Sequence, residues 1–365
     1  MLYIKYIMNI LLRNKNRSQI KFTRQVSWTN TKQERKTRRS WVTTKQKSTS
    51  LFSNDITKSY CINKKVIHPE LQYLNLVNDI IKNGVKDETR NGVTKSIIGA
   101  QMKFPLSANQ IPLLTTKKMA WESCLKELLW FISGDTDNKT LKQQGVSIWN
   151  DNGSRKFLDS RYLNHYREDD LGPIYGYQWR FYNSHYVPLH MFPHTKINDV
   201  KHKFNNGIDQ LVNIIQQLKD PKLRSSRRMI MTAWNPEQLD QMALPPCHVL
   251  SQFHVLNNKL YCSMYQRSGD VGLGIPFNIA SYSFLTILLA HHCGLEPGEF
   301  IHFIGNAHIY EEHEDKLQQQ IQRKPKEFPT CDITNIYNDI NDYSFSDFNI
   351  KNYKYESAIK MKMIA

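Results

Sequence analysis

The chain has 365 residues with 49 Lys plus Arg against 33 Asp plus Glu, a formal net charge of +16, 40% hydrophobic residues, 18 Tyr and 7 Trp. That length and apolar content can bury a sizeable core, and they exclude a disordered or fibrous chain. No run approaches the roughly 20 apolar residues that span a bilayer, and the six cysteines form no C-x-x-C pair, so neither a membrane partner nor a disulfide framework is expected.

Residues 1–66 hold 16 Lys or Arg against only Glu34 and Asp55, so residues 67–365 are nearly balanced. The first segment is rich in Lys, Arg, Ser, Thr, Asn and Gln and lacks a sustained apolar period. It reads as a disordered, low-complexity basic arm ahead of one folded domain, residues 67–365. Three readings stand for the arm: a solvated extension, an organelle-targeting peptide, or a segment that binds nucleic-acid phosphates. The opening MLYIKYIMNILL is short, is broken by Lys5 and Asn9 and has no small-residue cleavage site, which argues against a signal peptide. Reduced thiols place the protein inside the cell, in the cytoplasm unless residues 1–66 direct it to an organelle.

Order is expected from Val66. HPELQYLNLVNDIIKNG carries Leu71, Leu74, Val77, Ile80 and Ile81 at helical spacing, stopped by Gly84. SIIGAQMKF and IPLLTT read as short strands. AWESCLKELLWFISG is a second helix with Trp121, Leu125, Leu128, Leu129 and Ile132 on one stripe and Gly134 as its stop. GIDQLVNIIQQLKDP is a third, ended by Pro221. RRMIMTAW reads as a strand, and HVLSQFHVLNNKLYCSMYQ alternates about Asn257-Asn258 as a hairpin. IASYSFLTILLAHHCG is almost wholly apolar and predicts a long, buried central helix. Helices and strands are mixed without regular β-α-β alternation. The fold class is therefore α+β, a mixed sheet packed against helices.

Five groups of residues can carry chemistry. In MALPPCHVL, two prolines hold Cys247 on a stiff turn ahead of a strand, where a thiolate nucleophile would want positive neighbours; a buried structural cysteine is the plainer alternative. In YQRSGDVGLGIPFN, Arg267 and Ser268 can grip an anion, Asp270 can accept from an N–H-rich ring, and Gly272 and Gly274 permit close backbone approach. Asn278 offers one acceptor and one donor, the complement of a uracil O4/N3–H edge, or it caps the helix that follows. Arg227 and Arg228 are consecutive, so from a regular strand they would point to opposite faces. Either they lie in the preceding loop, or one contacts a different body, or both are simply solvated. In GNAHIYEEH, His308 and Tyr310 share a face if extended and can bond a sugar hydroxyl. His308 and His313 are badly spaced for zinc, and no metal is expected. Glu127, beside Leu128, Leu129 and Trp130, can have a raised pKa for proton transfer, or it can face solvent.

The run MALPPCHVLSQFHVLNNKLYCSMYQRSGDVGLGIPFNIASYSFL resembles the core of thymidylate synthases, and the resemblance extends from about Ile67 to Ala365 through FPLSANQIPLLTTKK, ELLWFISGDTDNKTL, DLGPIYGYQWR, SSRRMIMTAWNPEQLDQMALPPCH, GNAHIY and IKMKMIA. It implies that Cys247 attacks C6 of dUMP and that 5,10-methylenetetrahydrofolate, as co-substrate, donates carbon and hydride, giving dTMP and dihydrofolate. It implies that Glu127, Tyr175 and His248 manage protons. Arg90, Gln266, Arg267, Ser268, Gly269 and Asp270 would line the dUMP site with Asn278, His308 and Tyr310. Arg227 and Arg228 would enter from the partner of a homodimer. Trp149, Asn152, Asp270 and Ala365 would hold the folate.

Four features depart from the family pattern: Asn150 and Asn306 stand where Asp is usual, the sequence around Arg90 (TRNGVTKS) is one residue shorter, and residues 186–203 look like an inserted surface loop. A rival on the same scaffold is a pyrimidine hydroxymethylase acting on dCMP, a group that carries Asp at the position of Asn278. A rival of another class is a basic nucleic-acid-binding protein, supported only by the arm. Residues 1–66 are too short to hold a fused dihydrofolate reductase.

Overall fold

Leu74, Val77 and Ile80 recur at helical spacing, and the computed structural model puts them with Tyr73 on the buried face of helix α1, Leu71–Asn83. It describes residues 67–89, 91–188, 191 and 207–364. Arg90, Ala365, most of 189–206 and the basic arm with its three readings lie outside them. Gly84 ends α1 with extended backbone. Its N–H bonds the Ile80 carbonyl at 2.9 Å, and a Cβ there would stand 2.4 Å from that oxygen. Close approach, not a left-handed turn, requires this glycine.

The chain continues into strands β1, Val85–Thr89, and β2, Gly92–Pro105, so SIIGAQMKF is the C-terminal part of a longer strand. IPLLTT is not a strand, contrary to expectation. Its backbone groups are taken from elsewhere: Ile111 N–H bonds Pro329, and the buried Glu70 carboxylate accepts both N–H groups and both hydroxyls of Thr115 and Thr116 at 2.5–3.0 Å. A buried carboxylate so satisfied replaces a sheet partner.

Helix α2, Trp121–Ile132, buries a wider arc than the expected stripe, with Cys124, Trp130 and Phe131 buried and Trp121 and Leu129 only half-buried. Gly134 follows at φ 71°. Three short helices come next, α3 (Asn138–Gln143), α4 (Arg155–Ser160) and α5 (Tyr175–Phe181). Tyr186, expected on a surface loop, is instead buried, its hydroxyl 2.5 Å from Asp170 and 2.8 Å from Thr136. A polar tip with two buried partners lets the ring leave water.

Helix α6, Gln210–Lys219, starts where the Asp209 side chain accepts from Val212 N–H at 2.9 Å. RRMIMTAW yields a strand, β3, of only Ile230–Thr232, because its ladder with the next strand runs only from Ile230–Gln252 to Thr232–Leu250. Arg227 and Arg228 lie exposed in the loop before it. Strands β4 (His248–Leu256) and β5 (Lys259–Asp270) form the expected hairpin, with Asn257 at φ 50° and Asn258 at φ 62°, the conformation of a type I′ turn. Helix α7 runs Gly274–His292, starting earlier than expected, so Asn278 is inside it and does not cap it. Pro276 sits in the first turn, where its missing N–H costs nothing. Then follow β6 (Glu296–Tyr310), α8 (Glu314–Ile321) and a separate pair, β7 (Thr330–Ile333) with β8 (Phe348–Lys351).

The main sheet has the order β1-β2-β6-β5-β4-β3. Only β5 and β6 are parallel, joined by α7 as their crossover. This is an α+β fold. By length and composition α7 could cross a membrane, but most of it is buried, with Ile279, Phe284, Leu285 and Leu288 fully so, packed on β5, β6 and α2.

Candidate active site

Two prolines bar helix at Pro245-Pro246, and Cys247 occupies the bend before β4. Its N–H donates to the Tyr175 hydroxyl at 2.8 Å, and its carbonyl accepts from Arg267 N–H at 2.9 Å. The guanidinium of Arg267 folds back on the same turn. Its Nε and Nη2 donate to the Pro246 and Pro245 carbonyls at 2.8 and 2.9 Å, and it lies 5.8 Å over the Trp234 ring. A guanidinium has five N–H groups, so it can hold the turn and still offer donors to an anion. Burial pushes the half-buried Cys247 thiol up, against the opposing pull of Arg267 and Tyr175. Among the described residues, the arginine that contacts this turn is Arg267. The Arg227 carbonyl accepts from Gln252 at 2.9 Å, five residues along β4 from Cys247, a span of about 16 Å at the usual strand rise.

One wall comes from α2, α5 and the turn after α3. Glu127 accepts from Trp149 Nε1–H at 2.7 Å. Its carboxyl is raised to about 7, because desolvation outweighs that bond. The Tyr175 ring lies edge-on to Trp149 at 5.9 Å and 5.0 Å from the His248 ring. Burial lowers His248 to about 4, with Asn278 opposing and Arg267 assisting, so the imidazole is neutral near pH 7. These contacts bring Glu127, Trp149, Tyr175, His248 and Cys247 together.

The opposite wall is a directed chain of hydrogen bonds. His302 Nε2 meets Gln266 Oε1 at 2.9 Å, and Gln266 Nε2 donates to Asn278 Oδ1 and to the Ser268 carbonyl, each at 2.9 Å. Gln266 thereby fixes which end of the Asn278 amide is the donor. Burial lowers His302 to about 3, so it too is neutral.

Further along, Ser268 pairs with Asn306 and Asp270 with His308 across the parallel strands, so all four share a face with Tyr310. The His308 and Tyr310 rings meet edge-on at 5.4 Å. Asp270 Oδ1 accepts from Gly272 and Leu273 N–H at 2.8 and 3.3 Å. Gly269 is buried against Ile275. Gly274 is not forced by protein packing, since nothing lies closer than 3.9 Å to a Cβ there. Asn152 is buried after Trp149, and Asn150 accepts from Asn138 Nδ2 at 3.3 Å. Among the described residues no group of three His, Cys, Asp or Glu side chains could hold a metal ion.

Three participants have no sequence signal of their own. His302 is the hidden end of the amide chain. Lys117 is buried behind Asp270, its Nζ donating to the Gly272 carbonyl at 2.7 Å, and burial lowers it to about 8. His313 bonds the Lys362 carbonyl at 2.8 Å, tying down the C-terminal segment that leads to Ala365. Each is a polar residue whose partner is remote in the chain, which periodicity cannot reveal.

The family model described as thymidylate synthase matches residues 71–365. The chain belongs to the thymidylate synthase family. It is 48% identical over 300 residues to the thymidylate synthase of Equine herpesvirus 2, covering 82% of this chain and 99% of that one. It is also similar to the bifunctional dihydrofolate reductase-thymidylate synthases of Plasmodium chabaudi (50% identity, 82% of this chain, 49% of that one) and Zea mays (49%, 81% and 54%). The chain spans about half the length of these bifunctional relatives. The thymidylate synthase match ends at Ala365 and takes in every candidate residue above.

Proposed function

We propose that this chain makes dTMP by reductive methylation of dUMP with 5,10-methylenetetrahydrofolate. The carrying observation is the Cys247 turn, where the backbone on either side of a half-buried thiol is held, the N–H by the Tyr175 hydroxyl and the carbonyl by Arg267. The Cys247 thiolate adds to C6 of uracil and pushes the ring electrons toward O4, which makes C5 nucleophilic. The Asn278 amide N–H₂ meets O4 where that charge develops, and Oδ1 meets N3–H. The folate supplies the methylene group and then the hydride, and leaves as dihydrofolate. Glu127 releases and takes protons with Tyr175 and His248, since a carboxyl at about 7 serves both directions near neutrality. Once the C5 proton has left and the methyl group is formed, expulsion of Cys247 restores the ring double bond.

Arg267 and Ser268, with Arg90, bind the 5′-phosphate, and His308 with Tyr310 bind the ribose 3′-hydroxyl. Asp270 is a half-buried carboxylate suited to an N–H-rich ring, and Trp149 presents a flat apolar surface beside Glu127; with Asn152 and Ala365 they would hold the folate. The span between Arg227 and Cys247 supports a homodimer in which Arg227 and Arg228 serve the partner's phosphate site. Exposed apolar side chains paired across β5 and β6, Tyr265 and Phe303, suit such an interface. A cytoplasmic setting belongs to the proposal, because Cys247 must stay reduced.

The test is turnover of dUMP and dCMP with methylenetetrahydrofolate, followed by dihydrofolate formation and product analysis. Preference for dUMP with dTMP as product is expected. Preference for dCMP, with a hydroxymethyl product and no dihydrofolate, would overturn the reading.

A further inference from the structure

Asn306, His308 and Tyr310 alternate along β6 and so share one face, beside Ser268 and Asp270 of β5. Asn306 Oδ1 stands 3.1 Å from His308 Nδ1, and the main chain of Asn306 also favours a proton on the ring. A carbonyl oxygen only accepts, so Nδ1 carries the hydrogen and Nε2 keeps its lone pair. We infer that Asn306 is a positioning residue that holds His308 as the neutral Nδ1–H tautomer, so that Nε2 accepts from a nucleotide hydroxyl and rejects a phosphate at that carbon.

A carboxylate at position 306 would do the opposite. It would draw a second proton onto the ring and turn Nε2 into a donor. The titratable groups around the ring, among the described residues, are Asp270 from β5, Tyr310 on β6 and His313 just beyond it; β2 contributes the uncharged Ser96. Asp270 pulls toward the charged form, and burial outweighs it. An amide beside Nδ1 leaves that balance undisturbed, whereas a second carboxylate would tip it. The consequence is dUMP binding that is insensitive to His308 protonation across neutral pH.

The inference rests on the proposed dUMP site, but its first test does not. Nitrogen-15 shifts of the His308 ring in the ligand-free full chain, assigned by their loss in His308→Gln, should show protonated Nδ1 and bare Nε2 from pH 7 to 9. An Nε2–H tautomer, or an imidazolium at pH 7, would overturn it. In Asn306→Asp the ring's midpoint should rise by roughly 1–3 pH units. Its KM for dUMP should rise severalfold below that midpoint and recover above it, while kcat changes little. A KM that follows wild type at every pH would contradict the assignment. If wild type turned over no dUMP at all, the site reading would fail while the ring measurement still decided the role of Asn306.

Discussion

A buried carboxylate that must titrate weakens the fold that holds it. Glu127 is raised from 4.5 to about 7, so between those values the folded chain binds more protons than the unfolded one. Stability therefore falls as pH rises through that window and levels off above it. Because the carboxylate keeps some solvent access, the cost is about 3 kcal/mol at most. Glu127→Gln should raise Tm at pH 8, with little change at pH 4, while dTMP formation collapses. A Tm that drops equally at both would show that the carboxylate stabilises the fold. Asn278→Asp puts a carboxylate where Gln266 now fixes an amide, and a protonated oxygen there can serve a cytosine edge. Its kcat/KM should shift from dUMP toward dCMP by at least about tenfold, or 1.4 kcal/mol; an unchanged ratio would mean that Asn278 does not read the base.

At the scale of elements, turn chemistry was legible and remote partners were not. Asn257-Asn258 predicted the β4–β5 hairpin because both residues tolerate positive φ, as found. Asn257→Val should cost about 1–2 kcal/mol through a strained left-handed residue, and Asn258→Gly should be neutral or slightly stabilising; both are read by thermal unfolding. α7 was legible from its apolar run, although its start was displaced because Pro276 fits a first turn. IPLLTT was misread because its β-like composition is satisfied by Glu70, more than forty residues earlier in sequence. Glu70→Ala should strand the N–H groups of Thr115 and Thr116 and cost about 3 kcal/mol. A loss under about 0.5 kcal/mol would show that the segment is held by packing alone. β3 shrank for a related reason. RRMIMTAW looks like a strand throughout, but only Ile230–Thr232 are in ladder register with β4, and single backbone bonds at Met229 and Ala233 close the pairing on either side.

For the whole molecule, the resemblance carried the most weight, and the proposed homodimer would supply one part of the site from a second copy. Cys247, Arg267, Ser268, Asn278, His308 and Tyr310 are gathered by the β4–β5–α7–β6 run, a stretch continuous in sequence and hence readable as motifs. Glu127, Trp149 and Tyr175 reach the same site from far upstream; the apolar neighbours of Glu127 singled it out, whereas only resemblance to a known pattern marked Trp149 and Tyr175. If Arg227 acts across a dimer, then Cys247→Ala and Arg227→Ala proteins, each nearly inactive, should regain activity when mixed under subunit exchange. One site of the hybrid then has both groups. No recovery in verified heterodimers would refute the shared site.

The proposed reaction requires the Cys247 sulfur to bond to a pyrimidine carbon. Incubation with 5-fluoro-dUMP and methylenetetrahydrofolate should trap that bond, because fluorine at C5 blocks loss of the proton. Mass spectrometry of the digested protein should find one adduct of nucleotide plus folate on the peptide carrying Cys247, absent in Cys247→Ala. An unmodified Cys247 peptide in wild type under turnover conditions, or the same adduct on another residue, would contradict the account.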